Sequence, residues 1–589
     1  MSPDPGPGPT TWAGAYPPQP LHDYALIADG ERGAVLGPRG EIAWLCAPRW
    51  DSEPVFGSLL GAGSWAVTPI GDRYVWGGYY EDGTLIWRNR WVTNGGLVEC
   101  REALARPGDR DTVVVLRRVI GQDGDCRIRV VLDPRMGGRD RGLRDLRLHD
   151  RTWEARLGEL HVRVSGLCGA HVDDDGALVA ELYVAAGAQV DLVLEVSTAA
   201  PTAPPVDPVA AWRSTERAWR ADVPEVEGVW ARRDVRQAYA VLAGMTSSAG
   251  GMVAAATRSL PERAERGRDY DYRFAWLRDQ AMVGQAMAAL GPHRLMSSAV
   301  DFVSERLLEH GVGVRPAYTV EGSVIPDERR TGLPGYPGGV DHRGNGAGDQ
   351  FQLDVFGEAL HLFAAAARHG ALAKQTWRAA EAAVAAIETA WQCPDAGIWE
   401  LDRREWTHSR LVLVSGLQRI AALAPAGQSD SWLGLARRID EHLRRRCLHP
   451  DGRWQRAADD PGVDAALLIP VVRMPTDPAT DPTSRRTVAA VLADLTEEEF
   501  CYRFRDEDAD GLEDAEGAFV FAGFQMAMAL ERLGDHTLAA RWFERNRAAC
   551  GAPGLFTEEY DVVQRQQRGN LPQAFVHGAL IEASALLSR

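Results

Sequence analysis

The larger, C-terminal part of the chain is patterned as a long series of helices. From about residue 229, apolar residues recur with the period of an α-helix in twelve successive segments. Odd-numbered segments carry Arg and Glu on one face, whereas most even-numbered segments are apolar nearly all round. Because an all-round apolar helix must be buried on every side, we expect six inner helices surrounded by six outer ones, an (α/α)6 barrel. A two-layer helical solenoid fits less well, because no repeat of fixed length is present.

The predicted helical segments are short enough to be ordinary globular helices. They span residues 229–247, 278–290, 295–310, 350–369, 374–391, 408–424, 431–446, 464–473, 484–494, 515–533, 536–549 and 571–588.

The N-terminal part has a different period. Between about residues 24 and 197, short runs of alternating apolar and polar residues are separated by Asn, Asp and Gly turn signals, which is typical of an all-β sandwich. Four prolines within residues 199–208 predict a linker. The sequence therefore predicts an all-β plus all-α chain: a flexible N-terminal tail (1–20), a β-sandwich (21–200), a linker (201–228) and the barrel (229–589).

Charge composition excludes several functions. The 589 residues include 65 Lys and Arg against 82 Asp and Glu, a net charge of −17, which argues against a nucleic-acid partner. Lys374 is the single lysine, on a polar helix face. A phosphate-binding P-loop, a pyridoxal Schiff base and a lysine nucleophile all need a placed amine. We therefore expect no cofactor that depends on lysine, and none of another kind is indicated.

Targeting and metal signals are weak. The eight cysteines are scattered, so we expect reduced thiols and no zinc site. Neither a secretory signal nor an apolar run long enough to span a membrane is present, so we expect no membrane partner and a cytoplasmic location. Residues 506–511 imitate the start of a calcium loop, but Gly517 stands where the bidentate Glu belongs, and a polar turn is the favoured interpretation.

Unusual residues collect in the loops that lead into the even-numbered helices. In the predicted barrel these loops open on one end, and they carry aromatic, arginine and isolated carboxylate residues, among them Tyr318. Aromatic rings pack on the apolar face of a sugar, while charged groups bind its hydroxyls. The expected partner is therefore a small carbohydrate.

Two carboxylates on opposite sides of such a mouth permit glycosidic cleavage, one as a protonated acid and the other as an ionised base. Glu400, beside the indole of Trp399, is the candidate acid, because an apolar wall favours the protonated carboxyl group. Glu558 is the candidate base. The alternative is that each glutamate only caps a helix or pairs with an arginine; the shared mouth and the adjacent aromatic residues favour catalysis.

An ordered set of motifs resembles glycoside hydrolase family 15, the family of glucoamylases, glucodextranases and bacterial trehalases. The set includes Trp-Leu-Arg-Asp at 276–279, Gly-Ile-Trp-Glu at 397–400 and Glu-Glu-Tyr-Asp at 558–561. Further matching stretches lie at residues 24–30, 40–52, 344–345, 352–358, 406–409, 516–519 and 569–575.

The resemblance implies a β-sandwich followed by an (α/α)6 catalytic domain, and inversion at the anomeric carbon. It implies that Glu400 is the general acid and Glu558 the general base, with carboxyl groups about 6.5–9.5 Å apart. The same resemblance places Arg278 and Asp279 on the hydroxyls of the non-reducing glucose. It places Tyr272 and Trp276 in the wall of that subsite, and makes Glu559 a hydrogen-bonding neighbour.

Departures from the family pattern concern the leaving sugar. Where many members have Gly-Ser-x-Pro-Val-Arg-x-Gly-Asn, this chain has Gly-Gly-Val-Asp-His-Arg-Gly-Asn at 338–345, so His342 or Arg343 replaces the expected arginine. Together with Tyr318, they are the predicted leaving-group residues.

The leading functional prediction is an inverting exo-acting α-glucosidase that releases β-D-glucose from the non-reducing end of a short α-glucan. An α,α-trehalase of the same family is the alternative. A disaccharide phosphorylase and a catalytically silent sugar-binding protein are more distant. The oligomeric state is not indicated by the sequence.

Overall fold

A computed structural model describes residues 12–71, 73–138, 141–265, 267–505 and 516–589. The expected flexible tail is covered only from residue 12; residues 1–11 lie outside the described residues. Within the part described, a short helix α1 (Trp12–Ala15) is followed by chain that packs on the first domain. Tyr16 is buried, and the carbonyl of Ala15 accepts a hydrogen bond from Arg39.

Two antiparallel sheets form the N-terminal domain. Their strands are β1 (Ala25–Ala28), β2 (Gly33–Leu36), β3 (Glu41–Cys46), β4 (Pro54–Phe56), β5 (Ser64–Pro69), β6 (Tyr74–Tyr80), β7 (Trp87–Thr93), β8 (Gly96–Leu104), β9 (Thr112–Gly124), β10 (Cys126–Asp133), β11 (Arg144–His149), β12 (Thr152–Leu157), β13 (Leu160–Ser165), β14 (His171–Val172), β15 (Leu178–Val184) and β16 (Gln189–Ser197). One sheet has the order β1-β2-β3-β5-β10-β15-β14, with β4 paired to β3. The other has the order β11-β12-β13-β16-β9-β8-β7-β6.

The segment expected to be a linker contains a helix, α2 (Pro208–Asp222). The side chain of Asp207 accepts a hydrogen bond from the backbone N–H of Val209, and Pro208 occupies the first turn, where its missing N–H costs nothing. Trp212 and Trp219 on α2 are buried. The proline that predicted a break therefore marks the start of a helix.

All twelve predicted helical segments contain a helix. These are α3 (Arg232–Met245), α4 (Leu277–Leu290), α5 (Arg294–His310), α6 (Asp354–Ala367), α7 (Lys374–Ala390), α8 (Thr407–Ala421), α9 (Ala426–Arg446), α10 (Leu468–Arg473), α11 (Pro482–Asp494), α12 (Val520–Arg532), α13 (His536–Arg547) and α14 (Ala574–Leu587).

The even-numbered helices from α4 to α14 pack each against the next, and α14 also packs against α4, which closes a ring. Each odd-numbered helix packs outside one of them: α3 on α14, α5 on α4, α7 on α6, α9 on α8, α11 on α10 and α13 on α12. The apolar helices are thus the inner ones, as their pattern predicts.

Short strands brace the loops before the inner helices. They are β17 (Ala275–Trp276), β18 (Ala317–Tyr318), β19 (Arg329–Arg330), β20 (His342–Arg343), β21 (Thr496–Glu497), β22 (Phe500–Cys501), β23 (Ala518–Phe519), β24 (Glu559–Asp561) and β25 (Gln566–Arg568). The first domain supports these loops from outside. Trp44 of β3 donates a hydrogen bond to the carbonyl of Ala256, and Arg273 donates to the carbonyls of Trp50 and Ser52.

Candidate active site

A pocket of about 290 Å³ opens at the N-terminal ends of the inner helices. Its lining comes from the loops and first turns of α4, α6, α8, α12 and α14, the end at which the sequence collects its unusual residues. Of the eleven residues predicted for the site, seven line the pocket: Tyr272, Trp276, Arg278, Asp279, Trp399, Glu400 and Glu558.

Glu400 lies in the turn before α8, with a positive φ of 60°. Gly397 makes this turn possible, because its φ is +69° and a Cβ there would lie 2.8 Å from Trp406. Trp276 Nε1 donates to Glu400 Oε1 over 2.7 Å, Gln352 Nε2 approaches the same oxygen at 3.2 Å, and Arg278 Nη2 at 3.4 Å. Three donors thus fix one oxygen of the carboxyl group.

The indole that contacts Glu400 is not the one that the sequence suggests. Trp399 directs its Nε1–H to Asp464, at 2.8 Å, and packs edge-on against Phe519. Neighbouring residues in this turn project in different directions, so Trp276, from the loop before α4, takes the position beside Glu400 that was expected for Trp399. Trp399 nevertheless lines the pocket.

Arg278 and Asp279 occupy the first turn of α4. Arg278 Nη1 donates to Gln352 Oε1 at 2.5 Å and to Asp354 Oδ2 at 3.3 Å, so its guanidinium is held rigidly in the pocket wall. Burial raises the pKa of Asp279 to about 7; Arg278 opposes this shift and Glu400 adds to it. The pair presents both donors and an acceptor to a polar ligand.

Glu558 lies immediately before β24 and is buried, 5% exposed. Burial raises its pKa well above the usual range for a glutamate, the neighbouring Glu262 raises it further, and Arg503 opposes both effects. Its Oε2 finds no hydrogen-bond partner within the described part of the chain. Glu558 therefore lines the pocket with one oxygen, Oε2, buried behind the wall and unpartnered.

Glu559, the adjacent residue, has a different environment. It is fully buried, its Oε1 accepts from Arg503 Nη2 at 2.8 Å, and its Oε2 accepts from the backbone N–H of Gly517 at 2.9 Å. Unlike Glu558, Glu559 does not line the pocket.

Several site residues have no predicted role. Arg503 donates through Nε to Glu516 at 2.9 Å and through Nη2 to Glu262 at 3.3 Å. Glu516 also pairs with Arg268. Glu516 and Gln352 belong to stretches that carry the family resemblance, whereas Glu262 and Arg503 stand outside every motif, so no local signal identifies them.

The remaining wall is aromatic. Tyr270 stacks on Tyr272 with ring centres 6.0 Å apart, and Tyr272 meets Trp276 edge-on at 5.5 Å. Phe519 and Phe575 pack at 5.7 Å on another side. Flat apolar rings between charged groups suit the two kinds of surface that a sugar ring presents.

The three predicted leaving-group residues do not line the pocket. Arg343 turns outward to Glu53, at 2.7 Å, and to the carbonyl of Asp51. His342 Nδ1 lies 3.1 Å from the carbonyl of Asp269. Both residues belong to the β19–β20 pair, and neither is part of the pocket lining.

Tyr318, the third, is fully buried. Its ring stacks on His310 and its hydroxyl accepts a hydrogen bond from the backbone N–H of Arg315. It pairs with Ala275 in the strand beneath the pocket, so its contribution is to the support of the loop. Four polar residues without a predicted role line the pocket as well: Arg268, Glu328, Asn345 and Gln350.

No group of three or more side chains able to hold a metal ion occurs in the described ranges. The calcium-like stretch at 506–511 lies outside them. All eight cysteines are described and unpaired, and five are buried. No helix among the described residues is long and apolar enough to cross a membrane.

The family model for glycosyl hydrolases family 15 matches residues 235–585, which include the pocket loops and α4 to α13. The chain belongs to glycoside hydrolase family 15. It is therefore a glycoside hydrolase, as the motifs indicate. A second family model, described as trehalase-like, N-terminal, matches residues 10–147 in the sheet domain.

This family member is similar over nearly its whole length to several trehalases. It is 29% identical to a trehalase of Mycobacterium tuberculosis, covering 96% of this chain and 89% of the relative. It is 28% identical to a trehalase of Mycolicibacterium smegmatis (96% and 90% covered) and 26% identical to trehalase 1 of Sulfolobus acidocaldarius (96% and 98%).

Among solved structures, a bacterial glucoamylase complexed with acarbose matches 99% of this chain and 96% of its own, with a TM-score of 0.71 at 12% identity. At that identity the match shows the fold alone. The family member therefore has a glucoamylase-like fold, with N-terminal β-sheets followed by a helical part.

Proposed function

We propose that this family 15 hydrolase is an α,α-trehalase that cleaves trehalose with inversion at the attacked carbon. The observation that carries the substrate assignment is the similarity, over 96% of the chain, to two relatives that are trehalases. It favours the trehalase alternative over the leading sequence-based prediction of a short α-glucan.

The pocket is compatible with a disaccharide. About 290 Å³ is at the small end of the range of small-molecule sites, about 300–1,000 Å³. A compact, mostly enclosed ligand such as trehalose suits this volume, whereas only the terminal unit of a glucan would fit inside.

We infer that the closed ring of helices is an (α/α)6 barrel. Its support is the cyclic packing of α4, α6, α8, α10, α12 and α14 within the outer set. In this arrangement the pocket lies on the barrel axis, so carboxyl groups from loops on opposite sides face one another across it.

In the proposed mechanism Glu400 is the general acid. Trp276, Gln352 and Arg278 engage its Oε1, so Oε2 is the oxygen left to carry the proton. As the C1–O bond of the attacked glucose breaks, that proton passes to the glycosidic oxygen, which leaves with the second glucose. A positioned acid of this kind contributes about 10²–10⁴-fold in rate.

Glu558 is the proposed base. Its carboxylate, in the pocket wall, accepts a proton from a water molecule, whose oxygen bonds to C1 from the opposite face. One glucose is released as the β anomer and the other keeps the α configuration. This requires carboxyl groups about 6.5–9.5 Å apart, with water between.

Arg278 and Asp279 are proposed to bind the hydroxyls of the attacked glucose, against the rings of Tyr272 and Trp276. The second glucose would contact Gln350, which lines the pocket, and not Arg343, which does not.

A product assay with anomer detection by NMR tests the proposal. Trehalose, maltose, isomaltose and dextrin are offered at equal concentration, with Glu400→Gln prepared in parallel as the control for contaminating hydrolases. We expect trehalose to be cleaved fastest, with equal initial amounts of α- and β-glucose. Faster cleavage of maltose, or release of α-glucose alone from trehalose, contradicts it.

A further inference from the structure

Glu262 is a third carboxylate in the pocket, and neither the acid nor the base step uses it. It follows Pro261 in the loop before α4, is only 2% exposed, and lines the same pocket as Glu558. Its Oε1 accepts from the hydroxyl of Tyr272 at 3.2 Å, and its Oε2 from Arg503 Nη2 at 3.3 Å. The side chains of Glu262 and Glu558 flank the same glycine: a Cβ on Gly569 would lie 3.5 Å from Cγ of Glu262, 3.6 Å from Cβ of Glu558 and 3.9 Å from Glu558 Oε2.

The charges around this contact do not balance if every group is ionised. Four buried carboxyl groups share two guanidinium groups, so full ionisation would leave a net charge of −2. The carboxyl groups are Glu262, Glu516, Glu558 and Glu559, and the guanidinium groups are Arg268 and Arg503.

Hydrogen bonds show where the two positive charges are used. Glu516 accepts hydrogen bonds from both arginines, and Glu559 accepts them from Arg503 and from the backbone N–H of Gly517. Those two carboxylates therefore account for the two cations. Glu262 and Glu558 are left facing each other with only the longer Arg503 contact and a phenol, and two adjacent carboxylates in such a site do not both ionise.

We propose that Glu262 and Glu558 hold one proton between their carboxyl groups, so that this pair, rather than Glu558 alone, serves as the base. Glu262 is the positioning residue: its O–H donates to the buried, otherwise unpartnered Oε2 of Glu558 and leaves the other oxygen of the ionised carboxylate to the water. The inference deepens the proposed hydrolase mechanism and rests on it.

Protons balance in this scheme. Before reaction the pair holds one proton and Glu400 holds another. Cleavage moves the Glu400 proton to the leaving oxygen and a water proton to Glu558, so the pair then holds two protons and Glu400 is ionised. After the products leave, one proton returns through water to Glu400, and the starting state is restored.

The competing interpretation is that Glu262 is an ionised ion-pair partner of Arg503 and that Glu558 is protonated through its own burial. The two differ in what happens when Glu262 loses its charge. In a shared pair, Glu262→Gln offers Glu558 an amide donor, Glu558 ionises, and the shared proton is lost. In the competing case, the proton on Glu558 remains.

Infrared spectroscopy of the free protein at neutral pH separates these cases, because protonated and ionised carboxyl groups have separate C=O bands. We expect the wild-type-minus-variant spectra of Glu262→Gln and Glu558→Gln each to show the loss of one protonated carboxyl band. The double variant should lose no more of the protonated carboxyl band than either single variant does, because the two residues share a single proton. Glu195→Gln is the control: Glu195 is also buried and paired with an arginine, Arg163, but it lies outside this cluster, so the variant should keep the band.

Retention of the band in Glu262→Gln, or its loss in Glu195→Gln, overturns the inference. Glu262→Asn, which also replaces the carboxyl group by an amide, supplies the same readout if Glu262→Gln fails to fold. The measurement uses no substrate, so it stands apart from the assay of the proposed function: inactivity on trehalose would not remove the band, and activity would not create it.

A kinetic readout accompanies it. Because Glu262 acts through the base, Glu262→Leu, which has no donor for Glu558, should lower kcat about tenfold or more, whereas Glu262→Gln, whose amide still donates, should retain most of it. KM should change by less than about threefold in both variants. A change confined to KM contradicts a role in proton transfer.

Discussion

The indole nitrogen of Trp276 donates a hydrogen bond of 2.7 Å to Oε1 of Glu400. The bond connects the loop before α4 with the turn before α8, two parts of the chain separated by 124 positions. It makes the two oxygens of Glu400 unequal, since one is fixed by donors and the other is left to the ligand. The orientation of the proposed acid thus depends on a residue of the sugar-binding wall.

Removal of this donor should slow turnover. We expect Trp276→Phe to lower kcat about tenfold to a hundredfold, since a hydrogen bond to a charged group is worth about 1.5–3 kcal/mol. Trp377→Phe is the matched control, because Trp377 also donates its indole N–H to a glutamate, Glu381, but on the outer helix α7. Steady-state kinetics of both variants provide the measurement; equal effects would show that the Trp276 bond has no catalytic role.

The proposed acid and base differ in their response to the leaving group. Glu400→Gln and Glu558→Gln should each lose about 10²–10⁴-fold on trehalose. On α-D-glucosyl fluoride, whose leaving group needs little protonation, Glu400→Gln should recover most of its rate, whereas Glu558→Gln should not. Recovery by both or by neither would reject the assignment. Thermal unfolding of each variant checks that the fold is intact.

Sequence periodicity was sufficient for the twelve helices, because each inner helix carries its own apolar pattern. It failed at α2, where Asp207 and Pro208 start a helix although the proline content predicted a linker. The sandwich was likewise indicated by local alternation. What these features share is that the signal lies within a few residues of the element it predicts.

The site was predictable only where motifs carry it. Glu400 and Glu558 lie in the pocket, but the wall beside Glu400 was assigned to Trp399 because the two are adjacent in sequence. The contact between Arg503 and Glu262 joins positions 241 residues apart, so no spacing rule reports it. Contacts between residues that are distant in sequence, and the charge balance that depends on those contacts, could be identified only from the structure.

Arg503 should be essential to the fold as well as to the pocket. Its guanidinium group is bonded to three buried carboxylates, so Arg503→Met leaves them without their shared cation and should lower the free energy of unfolding by about 3–5 kcal/mol. Arg541→Met is the control, because Arg541 is 67% exposed and pairs with Glu499 at the surface, where about 0–1 kcal/mol is expected. Urea denaturation measures both; similar losses would contradict the buried network.

Glu41 should make stability depend on pH. This buried residue of β3 has its pKa raised from 4.5 to about 7, chiefly by burial, while backbone N–H groups oppose the shift. The folded state therefore holds a proton that the unfolded state releases, so the stabilisation is present below about pH 4.5 and is lost as the pH rises through 7. The shift corresponds to about 3 kcal/mol.

Glu41→Gln should remove this dependence, and the difference from wild type in unfolding free energy should change by up to about 3 kcal/mol between pH 4.5 and 8. Glu159→Gln, at a fully exposed position, should follow the wild-type curve. Urea titrations across this range provide the measurement, and parallel curves for Glu41→Gln and wild type would show that Glu41 does not hold the proton.

The leaving-group side of the pocket can be tested by comparing a residue that the sequence suggested with one that the structure supplies. Arg343 is bonded to Glu53 and Asp51, so Arg343→Ala should cost about 1 kcal/mol of stability and leave KM for trehalose within about twofold of wild type. Gln350 lines the pocket and donates to the carbonyl of Glu400 at 3.3 Å. Gln350→Ala should raise KM about fivefold or more, because a buried polar contact with the second glucose is worth about 1 kcal/mol or more. A larger KM effect for Arg343→Ala than for Gln350→Ala would show that Arg343, and not Gln350, contacts the second glucose.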